Sequence, residues 1–145
     1  RRDAGRQRWH GDGRMTEPAA GLEPGIERSD EFTVAPPLVT DVGGTIGSGV
    51  LSTPGMIGMM EGSASMLAYE HLPEGQATVG FEVCVKHVSA AAEGATCQVR
   101  ATLREVVDGR KLRFDVEVTE GERTIGVGTH ERRIVGFDQI GGSAA

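Results

Sequence analysis

The sequence predicts an α+β fold in which one antiparallel sheet wraps around a single long, buried helix. The first observation is segment 51–68, LSTPGMIGMMEGSASMLA, which is apolar around most of a helical wheel. The second is that several later segments alternate polar and apolar residues with period two and are joined by tight-turn sequences. A helix that is apolar nearly all round needs a sheet that curves about it.

Length and composition are those of one ordinary domain, since 145 residues with 38% hydrophobic content support a single core. The first fourteen residues, RRDAGRQRWHGDGR, are rich in arginine and precede a methionine. We interpret them as a cloning or upstream-frame remnant within a disordered leader at 1–25. The predicted domain spans 26–138, and a flexible tail follows at 139–145.

Charge and hydropathy argue against several classes of function. Without the five arginines and two aspartates of 1–14, ten basic side chains face nineteen acidic ones, so the chain should repel nucleic acid. Because no run of 18 apolar residues or apolar N-terminal stretch occurs, we expect no membrane insertion or export and a cytoplasmic location. Cys84 and Cys97 lack a CxxC or paired-histidine spacing, so buried free thiols are expected and no metal site or disulfide framework.

The chain before the helix is predicted to form a short strand and a glycine-rich loop. The strand is ERSDEFTVA at 27–35, which Pro36 and Pro37 end because proline cannot donate to a strand ladder. Segment 38–51, LVTDVGGTIGSGVL, contains too many glycines for regular structure. It suits a lid that contacts a ligand, and equally a plain surface loop.

The helix is predicted from Pro54 to about Tyr69, with Thr53 as its N-terminal cap. Glu61 places a carboxylate in the middle of this apolar helix, and no cation lies three or four residues away on its face. An ionised carboxylate in apolar surroundings is costly unless it is paired. The sequence therefore predicts that Glu61 has a partner on another element.

Four strands are predicted after the helix. The first, QATVGFEVCVKHVS at 76–89, has its apolar residues at odd positions, which would turn Val79, Phe81 and His87 inward. The others are EGATCQVRATLREVV, KLRFDVEVT and RTIGVGTHERRIV, separated by the turns Asp108–Gly109 and Glu120–Gly121. A helix held by such a sheet is the arrangement called a hot dog, and its open sheet edge predicts a homodimer.

His87 is the predicted partner of Glu61, because it lies on the apolar side of a strand that faces the helix. An acid and an imidazole in one dry cavity are suited to general acid–base chemistry. Thr53 supplies a hydroxyl at the positive end of the helix dipole. Structural roles stay open for all three: a hydrogen-bonded carboxylate, a satisfied core histidine and a simple helix cap.

Three segments resemble the fluoroacetyl-coenzyme A thioesterase family, a branch of the hot-dog thioesterases: STPGMIGMMEGSA, TVGFEVCVKHVSAA and IGVGTHERRIV. The likeness runs from about Glu27 to Phe137. It implies a dimeric hydrolase that cleaves a short-chain acyl thioester of coenzyme A, with the thioester as substrate and no cofactor. The catalytic roles it implies fall on Thr53, Glu61 and His87.

The resemblance also implies substrate-binding positions. Gly80 matches a backbone position near the thioester carbonyl, and Arg132 matches the arginine of the closing strand, where His130 and Glu131 are read as structural. Family members selective for the fluorinated substrate carry aromatic residues ahead of the threonine, whereas GGTIGSGVL has none. Hydrolysis is therefore implied without a fixed acyl group, and a non-catalytic protein that binds an acyl or other small apolar ligand is the alternative.

Overall fold

The computed structural model describes residues 21–140; residues 1–20 of the predicted leader and 141–145 of the predicted tail lie outside the described residues. Helix α1 spans Thr53–Tyr69, and short 3-10 helices occur at Pro36–Leu38 and Phe137–Gln139. The strands are β1 (Glu27–Thr33), β2 (Val39–Thr40), β3 (Val50–Leu51), β4 (Gln76–His87), β5 (Thr96–Val107), β6 (Lys111–Glu120) and β7 (Arg123–Gly136). No helix within residues 21–140 is long and apolar enough to cross a membrane.

Within residues 21–140, five strands form one antiparallel sheet in the order β1-β5-β6-β7-β4, and α1 packs across it. Strand β4 is an edge of this sheet. Strands β2 and β3 form a separate two-stranded ladder that flanks the glycine-rich loop at 41–49. The predicted α+β fold, an antiparallel sheet around one long helix, is confirmed.

The core lies between α1 and the inner face of the sheet, where β5 and β6 contribute alternate residues as predicted. The buried residues of these two strands are Cys97, Val99, Ala101, Leu103, Leu112, Phe114, Val116 and Val118. The β5–β6 turn occurs at Asp108 and Gly109, whose φ angles of 57° and 68° are those that a tight hairpin needs. Leu22, which precedes the predicted domain start, also joins the core and is 4% exposed.

Strand β4 departs from its predicted pattern because it contains a bulge. The register with β7 shifts between Gly80 and Glu82, so Phe81 is an extra residue in the ladder. Before the bulge Gln76 and Thr78 are buried, whereas Val79 and Phe81 are 41% and 60% exposed. Their predicted inward orientation is wrong. After the bulge the more buried side passes to the odd residues, as predicted: Val83, Val85 and His87.

Helix α1 buries one side, so the predicted burial all round is wrong for a single protomer. Its buried residues are Met56, Met60, Ser63, Ala64, Leu67 and Ala68. These positions recur at helical spacing and form one stripe against the sheet. Met66 and Tyr69, on the other side, are 44% and 53% exposed. Glu61 lies at the border of the stripe and is half-buried.

Candidate active site

The first part of the site lies at the N-terminus of α1. Thr53 Oγ1 and His87 Nδ1 are 2.8 Å apart, so a hydrogen bond joins the start of the helix to the end of β4. Ser52 is the helix cap, because its Oγ accepts a hydrogen bond from Gly55 N at 2.9 Å. The prediction that Thr53 is the cap is wrong by one residue, and its hydroxyl is available to the imidazole.

The second ring nitrogen of His87, Nε2, differs from Nδ1 in its hydrogen bonding. Nε2 is buried, yet it has no hydrogen-bond partner among residues 21–140. A buried polar atom is normally paired, and an unpaired one marks a place where another group can bind. Because Thr53 holds Nδ1, Nε2 is the nitrogen that can exchange a proton with a ligand.

A cavity of about 360 Å³ opens beside this pair. Thr53 and His87 form part of its wall together with Ser52 and Ser89. The remaining lining is mostly apolar and comes from β3, the segment after β4 and the edge of the glycine-rich loop: Thr40, Val42, Val50, Leu51, Val88 and Ala90. A hydrogen-bonded hydroxyl–imidazole pair therefore borders a space whose other walls are mostly apolar.

The second part of the site surrounds the carboxylate of Glu61 at the β4 bulge. A Cβ atom built on Gly80 would lie 2.9 Å from Glu61 Oε2, 3.4 Å from Arg132 Nη1 and 3.6 Å from His130 Cε1. The carboxylate, the guanidinium and the imidazole thus converge on one point above Gly80. Any larger residue there would displace the carboxylate.

Arg132 and His130 are joined by a hydrogen bond on the inner face of β7. His130 Nδ1 lies 2.8 Å from the carbonyl oxygen of Glu82, so this nitrogen carries the proton and Nε2 accepts a hydrogen bond from Arg132 Nη1 at 3.2 Å. Arg132 also donates to Thr78, from Nε to Oγ1 at 2.7 Å and from Nη2 to the carbonyl oxygen at 3.0 Å. His130 is 2% exposed and Arg132 is 8% exposed.

Burial sets the charges of this cluster. Burial lowers the pKa of His130, its hydrogen bond to the Glu82 carbonyl partly opposes this, and the charge of Arg132 lowers the pKa further, so a neutral imidazole is favoured. Burial also lowers the pKa of Arg132, and the nearby carboxylate of Glu61 opposes that shift. Glu61 therefore has a cationic neighbour, which its own helix could not provide.

The predicted residues form two groups and not one. Thr53 contacts His87, while Glu61 lies by Gly80 and Arg132. Thr53 and Glu61 are eight positions apart on α1, which corresponds to about 12 Å along the helix axis. Along β4 the separation between the groups is about 20 Å. The prediction that Glu61 and His87 face each other in one cavity is wrong within a protomer.

Sequence reasoning missed the role of His130 and Thr78 as partners of Arg132. The signal was present, because His130 and Arg132 share the face of β7 that also carries the buried Ile134. Polar side chains on an apolar face need partners. Glu131 faces the opposite side, where its oxygens accept hydrogen bonds from Arg113 at 3.2 Å and from Arg133 at 2.8 Å. These hydrogen bonds agree with the structural role predicted for Glu131, which stays a prediction.

Comparison with known proteins identifies the family. A family model described as fluoroacetyl-CoA-specific thioesterase, FlK, matches residues 35–138, which include every predicted site residue. The chain belongs to the FlK family. It is also similar to a fluoroacetyl-CoA thioesterase of Streptantibioticus cattleyicolor, with 36% identity over 91 residues. That alignment covers 63% of this chain and 65% of the relative, so the chain matches slightly less than two thirds of the relative's length.

Solved structures agree with this assignment. A structure of the fluoroacetyl-CoA thioesterase FlK superposes with a TM-score of 0.73 and 30% sequence identity, covering 82% of this chain and 92% of that one. A hot-dog-like protein from Thermanaerovibrio acidaminovorans gives a TM-score of 0.73 at 21% identity, covering 80% of this chain and 85% of that one. The hot-dog fold is therefore confirmed.

Proposed function

We propose that this protein is an acyl-CoA thioesterase that hydrolyses a short-chain acyl-CoA, and that it works as a homodimer. Its FlK family membership and its fluoroacetyl-CoA thioesterase relative support this proposal. The observation that carries it is the imidazole of His87, which has Nδ1 bonded to Thr53 and a buried, unpartnered Nε2 at the wall of a cavity. A merely structural histidine would have both nitrogens paired.

The dimer follows from the edge position of β4. An exposed strand edge with apolar side chains such as Val79 and Phe81 is a site for pairing with another chain. Antiparallel pairing of two β4 strands, about a two-fold axis near Val83, places Gly80 of each protomer close to the far end of the other β4. Glu61 of the partner subunit would then approach His87 Nε2, and each active site would use both chains.

The proposed reaction adds water to the thioester carbonyl and releases a carboxylic acid and the thiol of coenzyme A. Glu61 either directs the water onto the carbonyl or attacks it to form an anhydride that water then opens. His87 moves the proton through Nε2 to the departing sulfur, while Thr53 fixes the ring. Backbone N–H groups at the start of α1 or at Gly80 would stabilise the oxyanion.

Arg132 is proposed to position Glu61. Its Nε, Nη1 and Nη2 atoms already donate to Thr78 and His130, and the side chain is 8% exposed, which does not suit a ligand for the coenzyme's phosphates. Arg133 is also engaged, with Glu131 and with the ring of Phe81. Lys86, exposed beside His87, is the better candidate for a phosphate contact.

The first test is thiol release from acyl-CoA esters by the Glu61→Gln variant. The side chain keeps its volume but loses its charge, so we expect kcat to fall by about a thousandfold or more. The fold should be retained with a modest fall in melting temperature, because the buried Arg132 loses its nearby carboxylate. Glu74→Gln, at an exposed position, is the control and should retain full activity. Substantial turnover by Glu61→Gln would contradict the proposed chemistry.

A second test separates a site shared between subunits from one contained in a single chain. Glu61→Gln and His87→Asn are each expected to be inactive. Mixed and refolded together, they form heterodimers in which one site has both intact groups, so about a quarter of wild-type activity should return. No recovery would count against the shared site. If wild type releases no thiol but is thermally stabilised by an acyl-CoA, the ligand-binding alternative is favoured.

A further inference from the structure

The imidazole of His130 connects the backbone of β4 with the guanidinium of Arg132. Its Nδ1 atom donates to the carbonyl oxygen of Glu82, and its Nε2 atom accepts from Arg132 Nη1. Glu82 directly follows the bulge at Phe81, so the first bond fastens the bulge to β7. The second bond ties the same ring to the buried cation. A single side chain therefore fixes both neighbours of the Glu61 carboxylate, the bulged strand and the guanidinium.

The bond to His130 restrains the guanidinium nitrogen that lies beside Gly80. This nitrogen, Nη1, is within 3.4 Å of the point above Gly80 that lies 2.9 Å from Glu61 Oε2. The other two nitrogens of Arg132 donate to Thr78 along the opposite edge of the group. Two bonds along one edge still allow a planar group to swing about that edge, and a third bond removes this freedom. Among the described residues, His130 alone supplies that third bond.

The contact with Arg132 requires a neutral ring, because a protonated imidazole has N–H groups on both nitrogens and cannot accept a hydrogen bond. Burial lowers the pKa of His130, the Glu82 carbonyl opposes this shift, the charge of Arg132 lowers the pKa further and that of Glu61 raises it. The ring centroid of the fully buried Phe114 is 6.3 Å from that of His130, so apolar packing also limits rotation of the imidazole. The ring is therefore held in one orientation and one useful protonation state.

We propose that His130 is a positioning residue of the reaction: it fixes Arg132, and the charge of Arg132 in turn sets the orientation of the Glu61 carboxylate. This inference rests on the proposed thioesterase function and adds a residue to its site. A reacting group misplaced by about 1 Å can lose about a hundredfold in rate, so a contact one step removed from the carboxylate can still control kcat. A purely structural histidine would affect stability and leave kcat unchanged.

Two amide variants separate the two bonds of the imidazole. In His130→Gln the amide oxygen can occupy the position of Nε2 and still accept from Arg132. In His130→Asn the shorter amide reaches only the position of Nδ1 and can still donate to Glu82. We expect His130→Asn to lower kcat by about tenfold or more with little change in KM, and His130→Gln to keep kcat within about threefold of wild type.

The measurement is thiol release from acetyl-, butyryl- and hexanoyl-CoA, made well below the melting temperature of every variant and compared for the ester that wild type hydrolyses fastest. His71 gives the matched control, because its Nδ1 atom also lies 3.0 Å from a backbone carbonyl oxygen, that of Leu67, at the far end of α1. His71→Asn and His71→Gln should both retain the wild-type kcat. Equal losses of kcat in His130→Asn and His130→Gln, or no loss in either, would overturn the proposal.

A measurement on the unaltered protein does not depend on whether the His130 variants fold. Nitrogen NMR of isotope-labelled histidine at about pH 7 should show this ring neutral, with its proton on Nδ1 and none on Nε2. A proton on Nε2 would overturn the proposal, because that nitrogen could not then accept from Arg132. Either contrary result leaves the thioesterase intact if wild type is active. If wild type hydrolyses no ester, the thioesterase proposal itself fails.

Discussion

The two ends of the contact between α1 and β4 differ in how their polar groups are bonded. At the open end, formed by Thr53 and His87, one imidazole nitrogen is unpartnered and a cavity lies alongside. At the closed end, formed by Glu61, His130 and Arg132, the imidazole and the guanidinium are buried and fully directed at neighbours. The free hydrogen-bonding atom is His87 Nε2, at the end where a substrate would bind. The fully bonded atoms are those of Arg132 and His130, at the end where the charge of Glu61 must keep a fixed position.

The largest effect on this contrast should come from Arg132→Met. The substitution leaves Glu61 without its cationic neighbour and frees the oxygen of Thr78, so we expect the free energy of unfolding to fall by about 3 kcal/mol. Urea denaturation measures it. Arg104→Met is the control, because this exposed arginine pairs with Asp115 on the surface and should cost under about 1 kcal/mol. Equal losses for both arginines would contradict a closed end held by buried charge.

At the open end, Thr53→Val should affect rate and not stability. Without the hydroxyl, His87 loses its orienting hydrogen bond, and we expect kcat/KM to fall by about 10- to 100-fold. Its neighbour gives the matched comparison: Ser52→Ala removes the helix cap and should cost about 1 kcal/mol of stability, with a smaller fall in kcat/KM than Thr53→Val. Thiol release and urea denaturation of both variants would show whether the effects divide in this way.

The smallest expected effect is a pH dependence of stability from His130. Because its pKa is lowered in the folded protein, the unfolded chain binds the proton first. The contribution of the neutral ring is complete above about pH 6.5 and declines as the pH falls through the folded pKa. In His130→Asn, whose amide can still donate to the Glu82 carbonyl, the free energy of unfolding should fall less between pH 7 and 5.5. If the free energy of unfolding changes with pH equally in both proteins, His130 does not cause the pH dependence.

The fold was predictable where local signals agreed with one another. In β5 and β6 the apolar residues alternate without interruption, and Asp108–Gly109 specifies the turn between them. In β4 the same alternation gave a wrong prediction for Val79 and Phe81. A bulge at Phe81 reverses the buried side of the strand, so both residues face outward. A period of two shows which residues share a face, but an inserted residue alters that relation without changing the composition.

The arrangement of the candidate site was predictable only in part. Thr53 and His87 were both predicted as site residues, and a hydrogen bond joins them, while the catalytic roles of Thr53, Glu61 and His87 stay predictions. Helical and strand periods establish a shared face, but they carry no information on distance along the axis. The carboxylate of Glu61 lies near Arg132. This neighbour was not predictable, because it is close only as a result of the pairing of β4 with β7.

The short run from His130 to Arg133 serves both surfaces of one strand. His130 and Arg132 bond to each other near the carboxylate of Glu61 on the inner face, and Glu131 and Arg133 form an ion pair on the outer face. Insertion or loss of a single residue within this run would move the inner pair to the outer face of the sheet and the outer pair to the inner face. This tetrapeptide should therefore tolerate substitution on its outer side far better than any change in length.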